Sequence, residues 1–277
     1  MALSIDNNKR IRILGQDEIQ YLYEQPKFTD DERKWYFELD NNEQELLILP
    51  LTMVTKVDLI IQLGYFKAKH QFFKFKLNDV KADVDFILIK YFNNKNFDKI
   101  SIGREGRRKN QHRILDILGY QAFNKPKHNE LLLKKSSIIS SISNDPVFIF
   151  RELLDFIYTK KITLPGYTTL QDIISDSLSL EQQRIDQILE KQLLPEEKQL
   201  FLDLFQRQEG LYAVTLLKKQ PKNFKPKAVY QEIDDYQNYL LLYQIAKRLL
   251  PKLEISKNSI VYYNGCGSFR TTQVYSS

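Results

Sequence analysis

Residues 52–63 read TMVTKVDLIIQL. The Thr52 side chain can accept a hydrogen bond from a backbone N–H in the first turn of a helix, and apolar side chains then recur three or four residues apart. These apolar residues are Val54, Val57, Ile60, Ile61 and Leu63. The spacing predicts a helix that buries one face, with Gly64 as a point where the helix loosens.

Helical signals extend from this stretch in both directions along the chain. Upstream, Thr29 and Glu32 have the spacing of a capping box. Downstream, Asp145 before Pro146 is a usual pair of N-cap and first helical residue. The sequence therefore predicts an all-α protein built from several small helical units. The predicted units are residues 1–76, 77–164 (with a basic block at 104–113) and 165–262, followed by an irregular tail at 263–277.

The composition excludes several classes of protein. A single cysteine, Cys266, excludes an intrachain disulfide and any cysteine-based zinc site. The three histidines lie far apart, and the chain has neither a glycine-rich phosphate loop nor a nucleophile elbow. No apolar run approaches the ~20 residues that a membrane span needs. We therefore expect a cytoplasmic protein with no metal, no cofactor and no membrane association.

The excess positive charge of the chain is confined to one short stretch. The formal net charge is +6, and residues 101–135 hold 9 basic and 3 acidic side chains, whereas the segments on either side are nearly balanced. Such a stretch is typical of a protein with a polyanionic partner, most often nucleic acid, although a solvated surface is the alternative. Residues 17–45 are acidic, with 10 acids and 3 bases. We expect that segment to face solvent or a basic surface of the protein itself.

The basic block at residues 104–113 reads REGRRKNQHR and runs directly into the apolar spacing of ILDIL. We predict that it forms a loop and the first turn of an amphipathic helix. Cations oppose the macrodipole at a helix start, so folding alone does not favour them there, whereas a phosphate or a base edge in a groove does. The candidates for contacts in a DNA groove are Arg107, Arg108, Lys109 and Arg113. His112 is a candidate either for a DNA contact or for a structural hydrogen bond.

Two lysine-rich stretches predict contacts with the phosphate backbone. Residues 64–76 interleave lysines with aromatic residues, and we expect the Phe side chains to pack inward and the lysines to stay in solvent. Residues 217–227 carry five lysines, two prolines and no acid, which predicts an extended basic loop or a flexible linker. With Arg104, the phosphate-contact candidates are Lys67, Lys69, Lys74, Lys76, Lys218, Lys219, Lys222, Lys225 and Lys227.

Several short motifs, each weak alone, occur in a specific order. They are Glu18-Ile19 with Glu24-x-Pro26, Thr29-x-x-Glu32-Arg33, Gln62-Leu63-Gly64-Tyr65-Phe66-Lys67 with Phe72-Phe73-x-Phe75, Arg107-Arg108 with His112 and Ile114, Leu118-Gly119-Tyr120-x-x-Phe123, and Ile162-x-Leu164-Pro165-Gly166-x-x-Thr169-Leu170. In this order they resemble the N-terminal part of Tn-three-type replicative transposases, including the domain of unknown function that opens them. The resemblance covers residues 13–263.

The resemblance implies a helical DNA-binding region, with helix-turn-helix units of the centromere-protein-B type, that recognises the transposon's terminal inverted repeats. Its partner would be double-stranded DNA. In such transposases the DNA-cutting chemistry uses acidic residues on a ribonuclease-H-like fold with divalent metal, far downstream of this region. We therefore expect no catalytic activity in this chain, and no residue receives a catalytic role.

Residues 263–277 depart from the family pattern, with one charge and no helical spacing. We expect a truncation by frameshift or deletion, with a natural disordered C-terminus as the alternative. The fragment would occupy transposon ends as a homo-oligomer or together with a full-length transposase. Two other functions stay open: a helical protein–protein interaction module that uses residues 17–45 and the Tyr-rich final helix, and an enzyme with an unrecognised carboxylate pair.

Overall fold

The computed structural model describes residues 10–93, 102–204, 206–208, 211–212 and 225–260. Within these ranges the protein is all-α, which confirms the predicted fold class. Its helices are α1 Gln16–Tyr23, α2 Asp30–Tyr36, α3 Asn41–Ile48, α4 Met53–Lys69, α5 Lys81–Phe92, α6 Arg104–Leu118, α7 Lys125–Ile142, α8 Pro146–Thr159, α9 Tyr167–Gln192, α10 Pro195–Leu204 and α11 Pro226–Leu253. A 3-10 turn at Leu77–Val80 precedes α5, and a two-residue antiparallel pair joins β1 Arg207–Gln208 to β2 Leu211–Tyr212.

The predicted caps begin several of these helices. Thr29 Oγ1 accepts from the Glu32 amide at 3.3 Å, and Glu32 Oε2 accepts from the Thr29 amide at 2.8 Å. Thr52 caps α4 by accepting from the Thr55 amide, and Asp145 caps α8 ahead of Pro146. Each cap satisfies an amide that lacks a partner inside the helix. These helix starts are confirmed.

The first core forms around α4, which is buried from Val57 to Phe66. The helix continues through Gly64 without a break, and a Cβ at that position would lie 2.4 Å from Phe37 Cδ1. Gly64 therefore allows a close approach of the Phe37 ring. Phe75 is buried against the same core, as the alternation of aromatics and lysines predicts. Helix α6 covers this core with Ile114 and Leu115.

The chain divides into two compact units. The first is Met1–Ile139 with Asp145–Asp176, and the second is Ser140–Asn144 with Ser177–Ser277. The boundary predicted between residues 76 and 77 falls inside one core, to which α4, α5 and α6 all contribute. In the second unit, Ile185 of α9 packs with Ile245, Leu249 and Leu253 of α11. None of the described helices is both long enough and apolar enough to cross a bilayer.

Candidate nucleic-acid interface

The basic block lies wholly within α6. The prediction that it begins in a loop is wrong, because the helix starts at Arg104 with Gly103 as its N-cap. The Arg107 amide donates to the Gly103 carbonyl at 3.2 Å. A glycine cap offers no side-chain signal in the sequence, which explains the difference. Because α6 starts at Arg104, its first turn and the start of its second contain Arg104, Arg107 and Arg108. Residues three and four apart are neighbours on a helix, so Arg107 and Arg108 both lie next to Arg104.

This face of α6 forms one wall of a cleft of about 960 Å³. Four separate segments of the first unit meet there. The lining side chains are Phe72, Phe73, Lys74, Ile102, Arg104, Arg107, Arg108, Gln111, His112, Leu115, Ala122, Phe123 and Thr163. Four of these thirteen are cations, and none of the described residues that line the cleft is acidic. The cleft therefore presents a positive surface to any group that occupies it.

Backbone hydrogen bonds bring the distant segments of the cleft together. The Gln121 amide donates to the Lys161 carbonyl at 2.7 Å, and the Thr163 amide donates to the Gln121 carbonyl at 2.9 Å. The Phe123 amide in turn donates to Thr163 Oγ1 at 2.7 Å. The Leu164 amide donates to the His70 carbonyl at 2.8 Å, next to Phe72. The connections after α4, α6 and α8 are thus fixed to one another.

A buried polar cluster holds α6 against α4 behind this wall. Asp58 of α4 is fully buried, and its carboxylate accepts from Asn110 Nδ2 at 3.1 Å and also from the Gln62 side-chain amide. Asn110, also fully buried, donates in addition to the Thr55 carbonyl at 3.3 Å. Hydrogen bonds between buried polar groups favour one packing of the two helices over others. The cluster therefore helps to orient the face of α6 that lines the cleft.

Asp58 also positions one cation of the cleft. Arg107 Nε lies 3.3 Å from Asp58 Oδ1, and the Arg107 guanidinium carbon lies 5.0 Å from the centre of the Phe75 ring. Burial raises the pKa of the Asp58 carboxyl above its ordinary value, while Asn110 and Arg107 act in the opposite direction. Part of the Arg107 guanidinium therefore contacts the protein itself, through Asp58 and Phe75. Arg104 and Arg108 are exposed and are the freer cations of this wall.

Several predicted DNA contacts have other partners in the structure. Lys67 Nζ lies 2.6 Å from Glu43 Oε2 and 2.7 Å from the Glu38 carbonyl oxygen. Lys69 donates to the Tyr21 carbonyl, and its Nζ lies 4.0 Å from the centre of the Tyr21 ring. These contacts turn both lysines toward the acidic segment at residues 17–45, as expected for that segment.

The remaining predicted DNA contacts lie outside the cleft or outside the described residues. Lys109 pairs with Glu105 at 3.1 Å, and Arg113 donates to Asn110 Oδ1 at 3.1 Å, so neither lines the cleft. Lys76 is exposed beside the 3-10 turn. Lys218, Lys219 and Lys222 lie outside the described residues, as does the predicted tail at 263–277. Lys225 is the N-cap of α11, whose first turn includes Lys227.

Some residues that line the cleft were not predicted from the sequence. Gln111 follows Arg107 and Arg108 by one helical turn, so the spacing of a continuous helix from Arg104 would have placed it on this wall. Thr163 and Phe123 reach the cleft through tertiary hydrogen bonds, for which the sequence gives no signal.

A comparison with protein families matches this region of the chain. The family described as a domain of unknown function (DUF4158) matches residues 13–177, more than half of the chain. The chain belongs to the DUF4158 family. Every residue that lines the cleft falls within the DUF4158 domain. No curated protein matches the sequence.

Among the described residues, no group of three or more His, Cys, Asp or Glu side chains is placed to hold a metal ion.

Proposed function

We propose that this chain is the DNA-binding, N-terminal portion of a Tn-three-type replicative transposase and that it recognises the terminal inverted repeats of the transposon. It acts in the cytoplasm by binding, without chemistry of its own. The observation that carries the proposal is the cleft beside α6, where four cations and no acid line a concave surface. The ordered motifs of the sequence, which resemble those of Tn-three-type transposases, support the choice of family in this proposal.

The chemistry of the α6 wall suits a duplex. Cationic side chains neutralise phosphates and release condensed counterions, which gives affinity without sequence preference. Arg and Gln side chains also make paired hydrogen bonds to guanine and adenine edges in the major groove. Arg104 and Arg108 are exposed, and Gln111 lies one turn further along α6. The helix therefore offers both kinds of contact, and helix-turn-helix docking is the arrangement that we propose for it.

A binding assay with two duplexes tests the proposal. One carries the terminal inverted repeat of the element that encodes the chain, and the other carries the same bases in scrambled order. We expect the repeat to bind about a thousandfold more tightly, the low end of typical specific recognition. Arg108→Gln should weaken binding to both duplexes, whereas Lys109→Gln, the next residue on α6 but outside the cleft, should change it little. Equal affinity for the two duplexes would contradict repeat recognition.

A second candidate, a helical protein-interaction module, rests on α11. Tyr230, Tyr236 and Tyr243 of this helix are 71%, 66% and 61% exposed. Exposed aromatic side chains on a helix are typical of a contact with another protein. A second copy of the chain or a full-length transposase would be the partner. DNA binding measured across salt concentrations separates the two candidates, since the interaction module alone predicts no salt-sensitive DNA binding.

A further inference from the structure

The cleft is lined by apolar as well as cationic side chains. Of the thirteen lining side chains, six are apolar or aromatic, and three of those six are phenylalanines. The apolar set is Phe72, Phe73, Ile102, Leu115, Ala122 and Phe123. Phosphate contacts require only cations on a surface that follows the DNA backbone. Phosphate contacts do not account for the exposed and half-buried members of this apolar set, since apolar surface in contact with water is unfavourable in proportion to its area.

A ligand that combines a planar aromatic group with a negative charge satisfies both parts of this surface. A nucleotide that has left the base stack has this chemistry, because its base can stack on a phenylalanine while its phosphates meet arginines. The cleft volume of about 960 Å³ is at the upper end of the range of ligand pockets. We infer that the cleft holds an unstacked nucleotide of the bound DNA. This inference rests on the proposed function, since it specifies which form of DNA that cleft prefers.

Phe123 is the aromatic ring best placed for stacking. Phe72 and Phe73 pack against the core of the first unit, with Phe72 4.8 Å from Phe66 and Phe73 6.2 Å from Tyr65 between ring centres. Phe123 is half-buried outside that core cluster, and its described ring contact is with His128 at 5.7 Å. Its backbone is fixed by the hydrogen bond from its amide to Thr163. Phe123 is therefore the lining phenylalanine that lies outside the core cluster around α4.

The test compares two fluorescein-labelled duplexes of the same sequence by fluorescence anisotropy with the full chain. One duplex is fully paired, and the other carries a single unpaired nucleotide in its centre. The unpaired nucleotide is already largely free of the stack, so the protein need not unstack a paired base. Stacking of one base on an aromatic side chain predicts that the second duplex binds about tenfold more tightly.

Three variants locate that preference. Phe123→Leu keeps an apolar side chain and should reduce the preference to about twofold or less. Trp35→Leu, which removes a 78% exposed ring on α2 away from the cleft, should leave the preference intact. Ala122→Asp places a carboxylate beside Phe123 at an exposed position of the cleft. It should weaken binding of the duplex with the unpaired nucleotide more than binding of the paired duplex, without disturbing the core.

Each outcome distinguishes the inference from the function on which it rests. A preference for the unpaired nucleotide that Phe123→Leu removes and Trp35→Leu retains supports the inference. Equal affinity for both duplexes, or a preference that survives Phe123→Leu, overturns it and leaves DNA binding in place. If Phe123→Leu unfolds, Ala122→Asp carries the test, and a preference for the unpaired nucleotide that is unaltered in that variant overturns the inference. Absence of binding to either duplex overturns the proposed function as well.

Discussion

Gly64 is a single residue on which the first core depends. A Cβ there would lie 2.4 Å from Phe37 Cδ1 and 3.2 Å from the Tyr36 carbonyl oxygen. Both neighbours are held in the core or backbone, so the added methyl group forces them to shift. We expect Gly64→Ala to lower the free energy of unfolding by about 1–3 kcal/mol, as overpacking does. Denaturant unfolding followed by circular dichroism measures this change.

Gly106 provides a matched control, because it also lies inside a helix. Among the described residues, a Cβ at Gly106 would meet only the Cγ2 methyl of Ile102, at 3.0 Å. Alanine is intrinsically preferred over glycine within a helix, which favours the substitution at both sites. We expect the effect of Gly106→Ala to lie within about 1 kcal/mol of zero. A loss at Gly64 no larger than that at Gly106 would contradict the close approach of Phe37.

His70 makes stability depend on pH. It ends α4 in the left-handed conformation, with φ of 52°, and its Nδ1 lies 3.1 Å from the Tyr120 hydroxyl oxygen. Burial lowers the pKa of His70, and of His128, below the ordinary value of 6.5. Below that pH the unfolded chain takes up protons that the folded histidines do not. The free energy of unfolding therefore falls as the pH drops below about 6.5, and these groups leave it unchanged above that pH.

We expect His70→Asn to reduce this pH dependence, because asparagine tolerates the left-handed conformation and carries no proton-binding ring. The dependence should persist in part, since His128 remains. Denaturant unfolding of both proteins at several pH values between 5 and 8 gives the two curves. Parallel curves over that range would show that His70 does not contribute.

Helices α4 and α6 are joined by polar as well as apolar contacts. Asn110 donates to Asp58 and to the Thr55 carbonyl, and all three lie at the helix–helix contact. Asn110→Ala leaves the buried Asp58 carboxylate with one donor fewer. We expect a loss of about 2–3 kcal/mol in the free energy of unfolding. Lys109→Ala, the adjacent exposed residue with a surface ion pair to Glu105, should cost less than about 1 kcal/mol. Equal effects of the two changes would disprove the role of the cluster.

The starts of helices could be predicted from the sequence where a side chain caps them. Thr29 and Thr52 are three residues away from the amides that they cap. The start of α6 could not, because its N-cap is Gly103. The contact between Asp58 and Asn110 joins residues 52 positions apart, and apolar spacing gives no sign of it.

The candidate site could likewise be predicted from the sequence only where it depends on residues close together in the chain. Its cationic wall lies in one local stretch, which composition reveals directly. The rest of its lining combines Phe72 and Phe73 with Phe123 and Thr163, which tertiary hydrogen bonds bring together. The internal partners of Lys67 and Lys69 also depend on tertiary contacts, since both involve residues at least 24 positions away.

At the scale of the whole molecule, the candidate interface belongs to the first compact unit. All the cleft-lining residues belong to the first unit, which ends at Asp176, and to the DUF4158 domain at residues 13–177. We expect a chain that ends at Asp176 to bind DNA with an affinity within about threefold of that of the full chain. Anisotropy measures the affinity, and circular dichroism checks that the shortened chain stays helical. A helical but inactive chain would place the DNA contacts elsewhere.

The central claim is that the cationic wall of α6 contacts the phosphates of DNA. The most direct test is the slope of log affinity against log salt concentration for the full chain and for Arg104→Gln/Arg108→Gln. Each phosphate contact contributes about 0.9 to that slope. We predict weaker binding and a slope that is shallower by about 2 in the double variant, with both quantities unchanged in Lys109→Gln. Equal slopes for the double variant and the unaltered chain would contradict the claim.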